Sequence, residues 1–332
     1  MLPGPFKRAL RWGIICLVIA FWGLYIWRNW DSLLSHQWEV NFYWLALSFL
    51  VVLVFWLSLP IIWHRALIAA GGSLRLRVAA RLWALSMLAR YLPGGMWHIA
   101  GRVYMAEEAG ESRTIVFVST VIEQVLSLMT TMLIFLVSVP FWDADYARFA
   151  PVLLLVIPLA FSIHPVVLSR LGTLAIRLAG RKQGGNKAGV LPGEPFVPPG
   201  YRAILFIAAL YVLPNILAAL SLYLAAAAVG PVSPDQLPAF AGAYTIGWIA
   251  GFFAFFAPSG LGVREGAITL LLTPVVGAPV ALAASILNRV VFSLGEAVFV
   301  AACWALTRGD VKGKRGPSAE GGEDGRSPVT SP

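Results

Sequence analysis

Glu123 lies about ten residues into one long apolar stretch, and Arg289 about ten residues into another. If those stretches are helices that cross a bilayer, a rise of about 1.5 Å per residue puts both charges near its middle. An unpaired charge there costs about 2.5–3.5 kcal/mol on insertion scales, so each needs a partner or a watered cavity. The two could face each other, either at a substrate site or as a purely structural ion pair. Each also belongs to a polar stripe. Ser119, Glu123, Ser127 and Thr130 are spaced by four, four and three, which places them on one helical face, and Ser285, Arg289, Ser293 and Glu296 repeat that spacing.

A second constellation follows Pro258-Ser259-Gly260, in the run Leu261-Gly262-Val263-Arg264-Glu265-Gly266. An arginine at the start of a helix combines a planar fork suited to phosphate with nearby amide donors that favour anions. Alternatively, Arg264 and Glu265 satisfy each other or cap the turn. Arg102, which follows Pro93-Gly94-Gly95, is the nearest counterpart in the first half. His98 and Ser259 raise a third chemistry, a serine nucleophile with a histidine base, but no carboxylate is evidently placed to orient the histidine.

The elements that position these residues follow from composition. Of 332 residues, 59% are hydrophobic and 12% charged, about half the roughly 25% charged in soluble domains, so the chain cannot cover a water-facing surface. Segments at about 12–30, 42–63, 114–139, 148–164, 202–228 and 279–306 are long and apolar enough to cross a membrane. Lys7, Arg8 and Arg11 before the first of these resemble a secretory signal. Arg28, Asn29 and Trp30 follow it instead of a small-residue cleavage site, so it is predicted to be a retained span.

Two further stretches, about 78–110 and 238–276, are broken at Pro93-Gly94-Gly95 and Pro258-Ser259-Gly260. Each is predicted to form two half-helices that turn back within the bilayer. With both turning back, the joints at about 28–41, 140–148 and 229–237 carry Asp31, Glu39, Asp143, Asp145 and Asp235, and read as outside. Arg65, Arg75, Arg77, Arg81 and Arg90, together with the basic loop at 165–202, read as cytoplasmic. The net charge of +9 therefore reports topology and not nucleic-acid binding. Both termini are predicted on the cytoplasmic side of a plasma membrane, the inner membrane in a bacterium. Residues 1–306 are expected to form one transmembrane domain and 307–332 a disordered tail.

The breaks recur at an offset of 165 residues, Pro93 to Pro258 and Gly95 to Gly260, and the polar stripes recur after them. The expected fold is an all-α polytopic membrane protein: six full transmembrane helices plus two broken re-entrant hairpins, in two repeats at about 12–139 and 148–306. Three crossings separate the hairpins, so the repeats are inverted, a transporter arrangement with the substrate near the midplane. The competing explanation is a chance match of short polar patterns.

YLPGGMWHIAGR and APSGLGVREGA resemble the two signature regions of the lysylphosphatidylglycerol synthase transmembrane-region family, the flippase-like membrane proteins, over most of residues 10–306. In that family the second signature commonly reads Pro-Gly-Gly-Leu-Gly-Val-Arg-Glu-Gly, and Ser259 replaces its middle glycine. The resemblance implies movement of a lipid with an anionic or phosphate-bearing headgroup between leaflets. The site residues would be Arg264 and Glu265 first, then the breaks, then Arg102, Glu123, Arg289 and Glu296. Members that synthesise aminoacylated lipid carry a further soluble domain. A short polar tail stands here instead, so no enzymatic activity is expected, and no cofactor or metal.

The alternatives are a non-transporting membrane scaffold for envelope or lipid biosynthesis and an intramembrane serine hydrolase. Trp12, Trp27, Trp30, Trp38, Trp44, Trp63, Trp142 and Trp304 fall near predicted membrane boundaries and read as an aromatic belt.

Overall fold

Where no water is available, a backbone must satisfy its own polar groups, and a long apolar run does so as a helix. The computed structural model describes residues 19–36, 39–91, 97–142, 199–254 and 257–306, and these are largely helical with no strand among them. The helices are α1 (19–28), α2 (Trp30–Ser35), α3 (Phe42–Ala69), α4 (Leu76–Met87), α5 (Trp97–Glu108), α6 (Arg113–Ser138), α7 (Tyr201–Ala227), α8 (Leu237–Phe253), α9 (Val263–Val276) and α10 (Ala278–Leu306).

Four are long and apolar enough to cross a membrane: α3, α6 with its extension to Phe141, α7 and α10. They coincide with the predicted spans at 42–63, 114–139, 202–228 and 279–306, α3 running on to Ala69. The predicted span at 12–30 is described only from residue 19, and the one at 148–164 lies outside the described residues, as do the basic loop to residue 198 and the tail. Large apolar side chains such as Leu50, Leu57, Leu205, Phe206, Ile286 and Leu294 project outward from the long helices. That surface suits hydrocarbon and not water. The chain is an all-helical, multi-pass membrane protein.

Inside the bundle, short polar side chains tie the long helices together, as is usual where apolar burial alone gives no preference between lipid and neighbour. Ser48 of α3 donates to the Ser221 carbonyl of α7 at 2.9 Å, and the Asn288 amide of α10 donates to the Ser221 hydroxyl at 3.0 Å. Trp56 of α3 donates its indole N–H to the Phe292 carbonyl of α10 at 3.1 Å.

The two broken stretches form shorter arms. The arms α4 and α5 have 12 residues each, α8 has 17 and α9 has 14. At about 1.5 Å per residue, none reaches the roughly 30 Å of a hydrocarbon core. Pro93, Gly94 and Gly95 lie outside the described residues. Before them, α4 continues as a 3-10 turn over Leu88–Tyr91, which packs against the second break at Pro258–Gly260.

One long side chain clasps the base of each broken stretch. Glu111 accepts the backbone N–H groups of Ser73 at 2.7 Å and Leu74 at 3.1 Å, which holds the turn before α4 against the turn after α5. Gln236, just before α8, accepts from the Ser233 N–H at 3.1 Å and donates to the Val275 carbonyl at the end of α9 at 3.3 Å.

Candidate functional site

The second break closes on a backbone contact. A Cβ added to Gly260 would stand 2.6 Å from the Gly251 Cα, so α8 and the returning chain meet where neither carries a side chain. Ser259 has φ 52° and ψ 27°, the left-handed region that glycine enters without penalty and other residues rarely adopt. The substitution noted in the signature run therefore falls on a position whose conformation favours glycine.

After this turn, Glu265 reaches back to accept the Gly262 N–H at 2.7 Å, which caps the first turn of α9. Its other oxygen faces Arg289 of α10, with Nε at 3.5 Å from Oε1. Arg289 also donates to the Ser259 carbonyl at 3.4 Å, so α10 holds both the cap and the turn.

Arg264, one residue earlier, has no carboxylate partner among the described residues. Its guanidinium lies over the Tyr244 ring at 4.7 Å and the Phe292 ring at 5.2 Å, and its buried Nη2 has no hydrogen-bond acceptor. Aromatic faces stabilise the cation, and Nη2 keeps its N–H groups unspent. The arginine is thus held in place with donor capacity unspent.

In the first half, Arg102 of α5 is completely buried and paired with Glu123 of α6. Its guanidinium sits 4.8 Å from the Trp63 ring and 5.5 Å from Trp83, and Nε donates to the Ser86 hydroxyl at 3.1 Å. Trp83 donates its indole N–H to the second Glu123 oxygen at 2.7 Å. Beside this pair, Arg90 from the end of the α4 arm is bonded to Glu296 of α10, which also accepts the Tyr91 hydroxyl at 2.6 Å. Arg90 lies over Trp56 at 5.1 Å.

These elements enclose a cavity of about 540 Å³, a size that takes a small molecule or a headgroup. Arg90, Arg264 and Arg289 line it, as do Glu123, His98, Ser259 and Gly260. Of the predicted site residues, Arg102, Glu265 and Glu296 do not line it. They stand behind the wall as partners of Glu123, Arg289 and Arg90.

Several sequence-based expectations change. Glu123 and Arg289 both face the cavity but do not pair: each takes its partner from the return arm of its own broken stretch, Arg102 and Glu265, because those arms lie directly against α6 and α10. Arg264 and Glu265 do not satisfy each other, since Glu265 is committed to the Gly262 amide and to Arg289. The Gly262 amide at the α9 N-terminus is consequently not open to a ligand. Ser119 and Thr130 of the first stripe turn their hydroxyls to carbonyls of their own helix, at 2.9 Å from Val116 and from Leu126 respectively. Trp63 is no interfacial belt residue. It is wholly buried under Arg102.

Sequence reading missed Arg90 as a site residue, because it stood within a basic group that topology explained. The signal was its place three residues before Pro93, at the tip of a half-helix. It also missed Tyr244 and Phe292, whose role as a cushion for Arg264 resembles ordinary core packing in one dimension.

A family model described as lysylphosphatidylglycerol synthase TM region matches residues 10–293. No curated protein matches the chain.

Proposed function

The chain belongs to the lysylphosphatidylglycerol synthase transmembrane-region family, and from that premise we propose that it is a flippase, or a lipid-linked-precursor transporter, that moves a phosphate-bearing lipid between leaflets. The single observation that carries this reading is Arg264. It is a guanidinium on the wall of a headgroup-sized cavity, cushioned by two aromatic rings, with no carboxylate partner among the described residues and one N–H group unspent. Burying an unsatisfied charged donor costs free energy that a phosphate oxygen returns.

On this reading the six crossings form two inverted repeats, the broken stretches are re-entrant hairpins, and both termini face the cytoplasm of a plasma membrane. The phosphate rests between the two breaks while the acyl chains stay in the bilayer. Rocking of one repeat against the other would change which leaflet the cavity faces. The packing of Leu88–Tyr91 against Pro258–Gly260 supports this, because any such motion alters the shape of the space between them. The reading is of a transporter and not of an enzyme.

The test is leaflet exchange of fluorescent phosphatidylglycerol in liposomes that hold the purified full chain. Wild-type protein should accelerate exchange over protein-free vesicles. Arg264→Ala should remove most of the gain, and Arg264→Lys should restore little of it, since an ammonium lacks the planar fork. Exchange equal in wild type, Arg264→Ala and empty vesicles would sink the proposal.

A further inference from the structure

The cavity lining combines cationic side chains with neutral polar and aromatic ones. The cations are Arg264 of α9, Arg289 of α10 and Arg90 at the end of the α4 arm. Beside Glu123, the remaining lining includes neutral polar and aromatic side chains: Gln124 and Ser127 of α6, Tyr211 of α7, and Trp248 and Phe252 of α8. Tyr211 is 1% exposed, and its hydroxyl has no hydrogen-bond partner. A buried hydroxyl left unpaired costs free energy, so this one awaits a partner. Trp248 and Phe252 are stacked, ring centroids 5.3 Å apart and planes at 19°, which makes a flat apolar platform one turn along α8 from the Tyr244 that cushions Arg264.

The charge inventory excludes a cationic headgroup. Glu123 is the sole carboxylate on the cavity wall among the described residues, and both its oxygens are engaged, one by Trp83 and one by Arg102. An incoming ammonium group would therefore meet three arginines and no free anion. Four of the lining rings, Trp56, Trp83, Tyr244 and Phe292, already lie under an arginine, and an ammonium on the Trp248–Phe252 pair would stand one helical turn from the Tyr244 that holds Arg264. A hydroxyl-rich group meets no such obstacle. It can donate to and accept from the amide and hydroxyls, and lay its C–H face on the stacked rings.

Resting on the reading of this cavity as a phosphate-lipid site, we propose that it selects lipids whose headgroup beyond the phosphate is an uncharged polyol, glycerol or a sugar ring, and discriminates against those bearing an ammonium. The full chain in detergent, offered defined lipids and weighed by native mass spectrometry, tests this. Phosphatidylmethanol is the charge-matched reference without hydroxyls. Phosphatidylglycerol and phosphatidylinositol should each bind about five- to tenfold better than it, the worth of one or two added hydrogen bonds. The more strongly bound of these two distinguishes a glycerol from a ring. Phosphatidylethanolamine and lysyl-phosphatidylglycerol should bind less than the reference. Tyr211→Phe and the pair Gln124→Ala with Ser127→Ala should lower phosphatidylglycerol to the level of phosphatidylmethanol and leave phosphatidylmethanol itself unchanged, which also shows that the variants fold. The inference is overturned if either amine lipid binds as well as phosphatidylglycerol, or if the variants weaken both diesters equally. If phosphatidylmethanol binds no better than diacylglycerol, the phosphate site fails as well.

Discussion

The two broken stretches solve the same problem with opposite signs. In the first, the return arm α5 supplies the cation, Arg102, and the following long helix supplies the acid, Glu123. In the second, α9 supplies the acid, Glu265, and α10 the cation, Arg289. The first pair is sealed between Trp63 and Trp83, and α4 bonds both members, Trp83 to Glu123 and Ser86 to Arg102. The second is longer, at 3.5 Å, borders the cavity, and has as a neighbour Arg264, which has no acid of its own among the described residues. On the proposed function, the first arrangement is a lock and the second a receptor. The difference lies less in the pairs than in the residue beside them. The second stretch adds a cation, Arg264, that no acid among the described residues answers.

The comparison breaks most easily at the lock. Removing one partner of a fully buried pair leaves an uncompensated charge, which costs about 3–5 kcal/mol. Arg102→Ala should therefore collapse the yield of folded protein in detergent, read as a lost monodisperse peak and a lowered Tm. Arg102→Met with Glu123→Gln should recover most of that loss, because no lone charge remains and the substituted amide keeps an oxygen that accepts from Trp83. If Arg102→Ala instead leaves stability unchanged and abolishes only lipid exchange, the first stretch is a receptor too and the contrast disappears.

Arg264→Ala is the matching perturbation on the other side. Stability should change little, since the substitution removes a charge without stranding one, whereas exchange should fall about 10- to 100-fold, the worth of a charge-assisted bond to phosphate. The pair of experiments separates a residue that holds the fold from one that waits for a ligand.

Much of this frame is legible in the residues alone. Apolar length identifies α3, α6, α7 and α10 because crossing a bilayer demands a long run of apolar residues, and Pro258-Ser259-Gly260 marks a break, where Ser259 leaves the helical region. Pairing is not legible. Six charged residues near two breaks admit several neutral arrangements, and which one forms depends on which arm lies against which long helix. Arg90 is hidden for a related reason. A basic residue near a membrane boundary has a sufficient topological explanation, and only proximity to Glu296 reveals another. The aromatic cushions under Arg90, Arg102 and Arg264 are invisible in one dimension, because a tryptophan or phenylalanine in an apolar run looks the same whether it meets lipid, core or a guanidinium.

The turn of the second stretch sharpens the contrast further. Gly260→Ala places a Cβ 2.6 Å from the Gly251 Cα at a residue with φ 68°. Backbone cannot yield as a side-chain tip does, so the arm α9 must move away from α8, and a loss of roughly 1–3 kcal/mol is expected from the clash and the strain. Because Arg264 rides on that arm, exchange should fall along with Tm, unlike in Arg264→Ala.

Ser259→Gly runs the other way and is the smallest effect. Ser259 adopts φ 52°, so a glycine there relieves left-handed strain but also loosens the unfolded chain, and the two terms oppose each other. The first is the larger when the native turn is held rigidly, as it is here by the Gly251 contact and by the bond from Arg289 to the Ser259 carbonyl. A net gain of about 0.5–1 kcal/mol should then appear as a small rise in Tm, with lipid exchange unchanged because only the carbonyl of this residue is used by Arg289. A fall in Tm would mean that the serine side chain has its own bond in the working protein, and that the second turn is fastened by more than its backbone.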